Sequence, residues 1–311
     1  MNIGRVLMAS ALVAGAAVGA AAQAPGGESY PFPSPTSAWT GPRTSDGQPD
    51  VQGQWNKSWP GSNGANFDLE EGIDPDEITL TNRDPKNFPR PKVVQTPDGK
   101  IPYQPWARAL RDEIRRNVLR PAKVVHVDSN ARCLQMGIPR QSLDTGFEIV
   151  QTPGFLHFIY PYNNAYRIIA LDGRQHIDER IKLWQGDSIG RWDGNTLIVD
   201  VRNLNEHAWY DAYGNIHSDE LRVEERWVFV SPDRVHYEVT SHDPKVFTRP
   251  WTARNEFARA AERTEIWETS CFEGERNMKN KNLPGEDADP SGAYPYPEFT
   301  ARYPDFTVKG R

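Results

Sequence analysis

The sequence has few cysteines, no excess of basic residues and no long apolar run after its first residues. Only two cysteines occur among 311 residues, and the formal net charge is -6. An acidic chain argues against nucleic-acid binding, because phosphate recognition requires a basic surface. The motifs of α/β-hydrolases, dinucleotide-binding folds, P-loops, c-type haem attachment and H-E-x-x-H zinc sites are also missing, so neither a cofactor nor a metal is expected.

The first residues have the pattern of a secretory signal peptide. Arg5 supplies a positive charge, an apolar run of Ala, Val and Leu follows, and small residues end it. Cleavage after Ala22 is preferred over cleavage after Ala24, which would leave Pro25 at the new N terminus. The run is short for an uncleaved membrane anchor. We therefore expect residues 1–22 to be removed and the protein to be periplasmic or secreted, without a membrane anchor.

Export also bears on Cys133 and Cys271, the two cysteines of the chain. In an oxidising compartment two lone cysteines are most simply disulfide partners. Two separate buried thiols are the alternative. A catalytic thiol is less favoured, because neither cysteine lies next to a histidine in a recognisable nucleophile motif.

The composition divides the rest of the chain into three segments. Residues 23–104 are rich in Pro and Gly and predict an irregular arm, and residues 277–311 predict a tail of similar kind. Residues 105–276 are expected to form the folded domain. It begins with a helix over residues 105–120, whose apolar residues recur at three- and four-residue steps and would face the body. These residues are Trp106, Ala109, Leu110, Ile114 and Val118.

Residues 147–270 contain short runs typical of β-strands, separated by turn signals such as Asp172-Gly173. The runs are FEIVQ, FLHFIYPY, YRIIAL, RIKLW, NTLIVDVRNL, LRVEERWVFV, RVHYEVTS and RTEIWETS. No helix-sized segment separates them, which argues against parallel crossovers. We predict an all-β fold, an antiparallel up-and-down barrel of lipocalin type with about eight strands and one flanking helix. A two-sheet β-sandwich is the alternative.

Glu225 is the first candidate for chemistry. Strand alternation places it in one row with apolar neighbours, which are Leu221, Val223, Trp227 and Phe229. A carboxylate in such a row is unfavourable unless it is paired or used. Glu225 is therefore a candidate general acid or base. The alternative is a buried ion pair with Arg167 or Arg249.

The segment 205–218 (NEHAWYDAYGNIHS) is the second candidate. Loops at one end of a barrel form its mouth, where functional residues concentrate. His207 and His217 suit proton transfer near neutral pH. A rigid aromatic plug without chemistry is the alternative. The predicted substrate-binding side chains are aromatic, and they are Trp209, Tyr210, Tyr213, Trp227 and His157. For His157, a hydrogen-bonded core histidine is the default interpretation.

His236, Glu238 and His242 lie on one face of the next predicted strand. A metal site needs three such ligands with an orienting shell, and the spacing supplies no further ligand. An exposed polar face is the favoured interpretation, and no metal site is predicted.

Several motifs resemble a large family of exported bacterial proteins of unassigned function. They are DGQPDVQGQW (residues 46–55), CLQMGIPR (133–140), YRIIALDGR (166–174), WQGDSIGRWDGNTLIVD (184–200), HSDELRVEER (217–226), DPKVFTRPW (243–251) and the segment around Cys271. The resemblance covers most of the chain that follows the signal peptide. It implies export and a lipocalin-like β-barrel, and it implies no catalytic residues.

Two functions fit these features. The first is a cofactor-independent enzyme of lyase, dehydratase or isomerase type, in which Glu225, His217 and His207 move protons on an apolar or aromatic small molecule. The second is a periplasmic binding protein that holds such a molecule unchanged. A structural role in the cell envelope would explain the Pro-rich arm, but neither the inward Glu225 nor the His-rich loop. The oligomeric state does not follow from the sequence.

Overall fold

The computed structural model describes residues 38–57, 93, 94, 96, 100–117, 121–262 and 266. In this part of the chain the strands are β1 (Gly53–Lys57), β2 (Val93–Val94), β3 (Phe147–Thr152), β4 (Phe155–Ile159), β5 (Tyr166–Ala170), β6 (Asp187–Asp193), β7 (Thr196–Arg202), β8 (Arg222–Ser231), β9 (Arg234–His242) and β10 (Trp251–Arg259). The α-helices are α1 (Pro105–Asn117) and α2 (Arg140–Asp144). Short 3-10 helices cover Val124–His126 and Asn130–Arg132.

A closed barrel of nine strands is the main feature of the fold. Around the barrel the order is β1, β3, β4, β5, β6, β7, β8, β9 and β10, and β10 pairs back with β1. The two residues of β2 pair with β10 beside β1. One closed sheet confirms the predicted all-β barrel and rules out the β-sandwich alternative.

The barrel is mixed, and the prediction of a purely antiparallel meander is wrong. β5 and β6 run parallel, with Ile169 opposite Ser188 and Ala170 opposite Ile189. Residues 171–186 make the crossover without a helix. Asn203 holds this segment, because its side-chain amide donates to the backbone oxygens of Asp178 (2.8 Å) and Ile181 (3.0 Å). The sequence contains no helix-sized segment between these strands, which argues against a parallel pair. The prediction failed because side-chain hydrogen bonds stabilise a crossover that usually requires a helix.

Three strands differ from their predicted positions. The run RIKLW forms only an isolated bridge between Leu183 and Leu204, and the strand follows it as β6. β10 was not predicted, and the predicted strand over residues 263–270 lies outside the described residues apart from Ile266. β1 belongs to the segment predicted as an irregular arm, yet it pairs with both β3 and β10. The closed barrel therefore has nine strands in place of about eight.

Strand alternation fills the barrel interior with apolar side chains. On β8 the buried inward row contains Val223, Glu225, Trp227 and Phe229, as the sequence predicts, while Arg222 and Glu224 point outward and are exposed. The neighbouring strands contribute inward rows of the same kind, which include Val199, Val201, Val235, Tyr237, Val239, Ala253 and Phe257.

The predicted helix is confirmed over Pro105–Asn117, and residues 118–120 lie outside the described residues. Its buried side chains are Ala107, Arg111 and Ile114. Trp106, predicted to face the body, is 54% exposed. The buried face is rotated because Arg111 reaches inward, where its Nε donates to Asn215 Oδ1 at 3.3 Å.

The strands β3, β5, β6, β8 and β10 all begin at the same end of the barrel, which we call the mouth. Residues 203–221, which connect β7 to β8, lie at the mouth. The short helix α2, which precedes β3, reaches the barrel at the same end. No helix among the described residues is long and apolar enough to cross a membrane. The predicted signal peptide, residues 1–22, and the predicted tail, residues 277–311, lie outside the described residues.

Candidate functional site at the barrel mouth

Glu225 is fully buried and paired. Arg167 holds both of its carboxylate oxygens, with Nη1 3.0 Å from Oε1 and Nη2 bonded to Oε2. The hydroxyl of Tyr237 donates to Oε1 at 2.7 Å. Arg167 in turn donates from Nε to the hydroxyl of Ser188 at 2.9 Å. Of the two arginines considered for an ion pair, Arg167 is therefore the partner, and Arg249 is exposed.

The electrostatics of this pair keep the guanidinium of Arg167 charged. Burial opposes the charge of Arg167, but the carboxylate of Glu225 outweighs that effect and raises the pKa of the guanidinium. Burial, together with the negative charge of Glu225, raises the pKa of Tyr237 well above its ordinary value. Glu225 therefore lies in a matched ion pair with a phenol that remains protonated. Such an arrangement suits a scaffold better than a proton-transfer group.

Aromatic rings occupy the middle of the barrel. The ring of Trp227 lies 4.1 Å from that of Tyr237, 5.2 Å from that of Phe158 and 5.4 Å from that of Phe147, measured between centroids. Trp227 is fully buried in this cluster. Trp227 thus packs in the middle of the barrel, and its predicted role in binding a substrate remains a prediction.

Hydrogen bonds within residues 203–221 define the loop at the mouth. The carboxylate of Asp211 accepts from the backbone N–H groups of Tyr213 (2.9 Å) and Asn215 (3.2 Å), and from the side-chain amide of Asn215 (2.6 Å). Tyr103, just before α1, donates its hydroxyl to Asn215 Oδ1 at 3.0 Å. The loop is thus tied to itself and to the chain that leads into α1.

His217 has a defined tautomer at this mouth. Its Nδ1 lies 3.1 Å from the backbone oxygen of Ser218, which can only accept, so Nδ1 carries the hydrogen. Asp243 fixes Ser218 by accepting from its N–H at 2.6 Å and from its hydroxyl at 2.8 Å. Burial lowers the pKa of His217, so the ring is neutral at pH 7 and the lone pair is on Nε2. An oriented neutral imidazole is suited to accept a proton.

The side chains beside His217 are polar at their tips and buried. The Tyr210 ring lies edge-on to the imidazole at 6.2 Å, and its hydroxyl is 2.5 Å from the hydroxyl of Ser241. Burial raises the pKa of Tyr210, so this phenol is neutral. Trp251 packs on Tyr210 with ring centroids 5.1 Å apart.

His207 lies on the same loop, partly buried, with its ring 5.8 Å from that of Trp184. It is close enough to His217 to disfavour a second positive charge there, which adds to the lowering of the pKa of His217 that burial causes. The two histidines of this loop thus lie within electrostatic range of each other. In the described part of the chain, no hydrogen bond or ion pair connects Glu225 to either histidine.

Trp209 and Tyr213, which were also predicted to bind substrate, contact neighbouring segments of the chain. Trp209 is buried, and its indole donates to the backbone oxygen of Val125 at 3.1 Å. Tyr213 is partly buried, and its backbone oxygen accepts from Arg115 Nε at 3.0 Å. Both residues anchor the loop to neighbouring segments.

His157 does not line the barrel interior. Leu156 and Phe158 on either side of it are buried inward, so alternation turns His157 to the outer face, where its Nε2 lies 3.0 Å from the hydroxyl of Thr152. Cys133 is not a free thiol. Its expected partner Cys271 lies outside the described residues, so the disulfide between them remains a prediction.

Sequence reasoning missed Ser241, Asp243 and Trp251. Asp243 and Trp251 begin and end the motif DPKVFTRPW, but the pattern assigned neither of them a role. Ser241 continues the inward row of Tyr237 and Val239 on β9, but its place beside Trp251 depends on the register of β10, a strand that was not predicted.

Metal binding and similarity to other proteins give no further assignment. The described residues hold no group of three or more His, Cys, Asp or Glu side chains that could bind a metal ion. No protein-family model matches the chain, and no curated protein matches it. The geometry of the mouth is therefore the basis for a proposed function.

Proposed function

We propose that the protein is an exported enzyme that transfers protons by acid–base chemistry, of lyase, dehydratase or isomerase type. The observation that carries the proposal is the neutral imidazole of His217, fixed through Nδ1 to the carbonyl of Ser218 with its Nε2 lone pair unused among the described residues. His217 is the proton acceptor in this proposal, and Glu225 stabilises the barrel. The sequence lacks dinucleotide-binding, P-loop and c-type haem motifs, which favours chemistry without a cofactor.

The substrate is proposed to be a small apolar or aromatic molecule at the mouth of the barrel. The rings of Tyr210 and Trp184 lie next to His217 and His207, Trp251 packs on Tyr210, and all three rings offer apolar contacts. The packed rings around Trp227 fill the middle of the barrel. This packing favours a substrate site at the mouth over a deep lipocalin-like cavity.

The test is a comparison of the wild type with His217→Gln in a metabolite extract of the producing cells. Mass spectrometry follows which compounds are depleted. We expect His217→Gln to slow depletion by roughly 10²- to 10⁴-fold, the usual effect of removing a general base. The matched control is His242→Gln, because His242 is exposed at the end of β9. Equal depletion by His217→Gln and by the wild type would show that His217 is not the base.

Binding without catalysis is the second candidate, and one observation favours it. Gln141 on α2 is fully buried, and neither its Nε2 nor its Oε1 has a hydrogen-bond partner among the described residues. An unpaired buried amide is unfavourable by roughly 1–3 kcal/mol unless a ligand or water satisfies it. A compound that is retained by the protein but not depleted, and lost with Gln141→Leu, would favour this function.

Export is proposed from the sequence of residues 1–22. N-terminal sequencing of the protein recovered from the periplasm or the medium should begin at Gln23. Recovery from the cytoplasm with residues 1–22 still attached would contradict export.

A further inference from the structure

The indole nitrogen of Trp251 is a buried hydrogen-bond donor without a partner. Trp251 is fully buried, and its Nε1 has no acceptor among the described residues. Leaving such a group unpaired is unfavourable, so buried donors of this kind are usually satisfied by protein, water or ligand. Trp251 lies beside the site of the proposed function, because it packs against Tyr210 and is paired with Ser241 across β9 and β10.

A second unused donor lies next to it. The hydroxyls of Tyr210 and Ser241 are 2.5 Å apart, and both residues are buried. Only one of the two can donate to the other, so the hydrogen of the second hydroxyl remains available. The indole of Trp251 packs on the ring of Tyr210, and that ring meets the imidazole of His217 edge-on, so the two donors and the base belong to one cluster of contacting side chains at the mouth.

Two adjacent donors and a nearby base fit one class of substrate. Preorganised N–H and O–H donors stabilise negative charge that develops on an oxygen, which is the role of an oxyanion hole. A neutral imidazole can remove a proton from a carbon atom when the resulting charge moves to such an oxygen. Neither the two donors nor the imidazole alone specifies this chemistry, but the donors and the imidazole together do.

We propose that the substrate is an enolisable carbonyl compound whose oxygen binds Trp251 Nε1–H and the free hydroxyl of the Tyr210–Ser241 pair. His217 Nε2 takes the proton from the carbon next to the carbonyl group. The electron pair of that C–H bond forms a C=C bond, and the carbonyl π electrons move to the oxygen as an enolate. His217 then returns the proton to the same carbon or to a conjugated carbon, so no other reactant is required.

Access to these donors requires movement of the loop formed by residues 203–221. Tyr210, Ser241 and Trp251 are shielded from solvent, and His217 is 8% exposed. Loops that close over a substrate commonly complete a catalytic site in this way and exclude water from it. The inference rests on the proposed function, since His217 supplies the base in both.

The experiment is turnover of the same metabolite extract in D₂O, followed by return to H₂O and mass spectrometry. A carbon that passes through an enolate takes up deuterium from the solvent, and carbon-bound deuterium survives the return. In the reaction with the wild type, we expect a carbonyl compound of the extract to gain at least one deuterium on carbon, whether or not the compound is also depleted. Trp251→Phe, which keeps the ring and removes the N–H, should lower kcat by roughly 10²- to 10³-fold with little change in KM.

Two further variants make the result specific. Ser241→Ala removes one hydroxyl of the donor pair and should also lower kcat. If Trp251→Phe folds poorly, Ser241→Ala still tests the donor site. Trp192→Phe is the matched control, because its buried Nε1 also has no partner among the described residues but its ring lies against Phe229, near the end of β6 that is away from the mouth. Its kcat should equal that of the wild type.

The outcomes separate this inference from the proposed function. Depletion that depends on His217 but leaves no deuterium on carbon would overturn the carbonyl substrate and leave the acid–base enzyme standing. Trp251→Phe and Ser241→Ala variants that are folded and as active as the wild type would overturn the donor site alone. Absence of both depletion and exchange with the wild type would overturn both proposals.

Discussion

At the scale of single residues, Glu225 and His217 illustrate two fates of a polar group in an apolar environment. Glu225 is neutralised by a bidentate guanidinium and a phenol, so its burial is compensated within the barrel. Within the described part of the chain, His217 is hydrogen-bonded at one nitrogen only, and its second nitrogen keeps a lone pair. Pairing makes the first residue structural, while the unused lone pair makes the second a candidate for chemistry.

Glu225→Gln should destabilise the protein more than it slows turnover. The substitution leaves Arg167 buried with its positive charge uncompensated, which typically costs about 3–5 kcal/mol. We expect the free energy of unfolding, measured with urea, to fall by that order while the folded fraction keeps its kcat. Glu224→Gln, on the outer face of the same strand, should change stability by less than about 0.5 kcal/mol. A stable Glu225→Gln protein with a strongly reduced kcat would make Glu225 a catalytic residue after all.

The lowered pKa of His217 should be visible in the pH dependence of stability. Burial keeps the folded imidazole neutral below its ordinary value of 6.5, whereas the unfolded imidazole takes up a proton there. The free energy of unfolding should therefore be highest above pH 6.5 and fall as the pH drops towards the lowered value, by up to about 1.4 kcal/mol per pH unit. Urea titrations at several pH values measure the slope.

His217→Gln should flatten that slope without abolishing it. Burial also lowers the pKa of His236, so one further histidine contributes in the same pH range. His236→Gln should remove that second contribution. A slope identical in His217→Gln and the wild type would mean that His217 is protonated equally in the folded and unfolded states.

The sequence predicted some of these residues and not others, for a physical reason. Period-two alternation is local, so it placed Glu225 inward, and the unfavourable burial of its charge indicated a pair with Arg167 or Arg249. The neighbours of His217 come from strand register and from loops far along the chain, as with Ser241 and Trp251. No local pattern encodes such contacts, which is why the two histidines were predicted but their surroundings were not.

At the scale of elements, the parallel contact between β5 and β6 is the part of the barrel with the fewest paired residues. Its register contains two residue pairs, whereas β6 and β7 share seven. The carboxylate of Asp187 compensates by fixing the crossover. It accepts from Arg174 Nη1 (3.1 Å), lies 2.8 Å from His176 Nδ1 and accepts from the backbone N–H of Ile177 (3.2 Å). Although burial opposes ionisation, Arg174 and His176 hold the pKa of Asp187 below its usual range.

Asp187→Asn should loosen this contact locally. The amide cannot accept from all of these donors, and we expect a loss of about 1–3 kcal/mol. Hydrogen exchange should accelerate in peptides that cover residues 166–193 and remain unchanged in those that cover β8 and β9. Asp193→Asn, an exposed change at the other end of β6, is the control. Uniform acceleration across the whole barrel would show that the crossover is not an independent unit.

Prediction succeeded for elements whose pattern is local. The cores of β3, β4, β5, β7, β8 and β9 and most of α1 were recognised from alternation or from three- and four-residue steps. β6 was missed because Gly190 and Arg191 interrupt its apolar pattern, and RIKLW, which looks more like a strand, forms only a bridge. The face of α1 was misplaced because a buried arginine, Arg111, replaces an apolar residue.

At the scale of the whole molecule, β1 determines whether the sheet is open or closed. It lies between β3 and β10 and pairs with both, so it removes two sheet edges at once. A barrel was predicted, but the part that β1 plays in closing it was not, because a strand of five residues within a Pro- and Gly-rich segment carries little periodicity. Pairing between segments far apart in the sequence depends on the fold of the whole chain, so no local pattern predicts it. The predicted bridge between Cys133 and Cys271 would likewise join distant segments, and local periodicity gives no information about it.

Trp55→Ala should therefore both destabilise the protein and promote self-association. Trp55 is fully buried on β1, with its ring 5.5 Å from that of Phe229 and the guanidinium of Arg259 4.6 Å above it. Loss of a buried aromatic ring of this size costs about 3–5 kcal/mol. Detachment of β1 would expose the edges of β3 and β10, which then pair readily with other chains. We expect a lower urea midpoint together with concentration-dependent light scattering, neither of which should appear for Asn56→Ala, an exposed neighbour on the same strand. A Trp55→Ala protein that loses stability but stays at the wild-type mass in solution would show that the barrel remains closed without this ring.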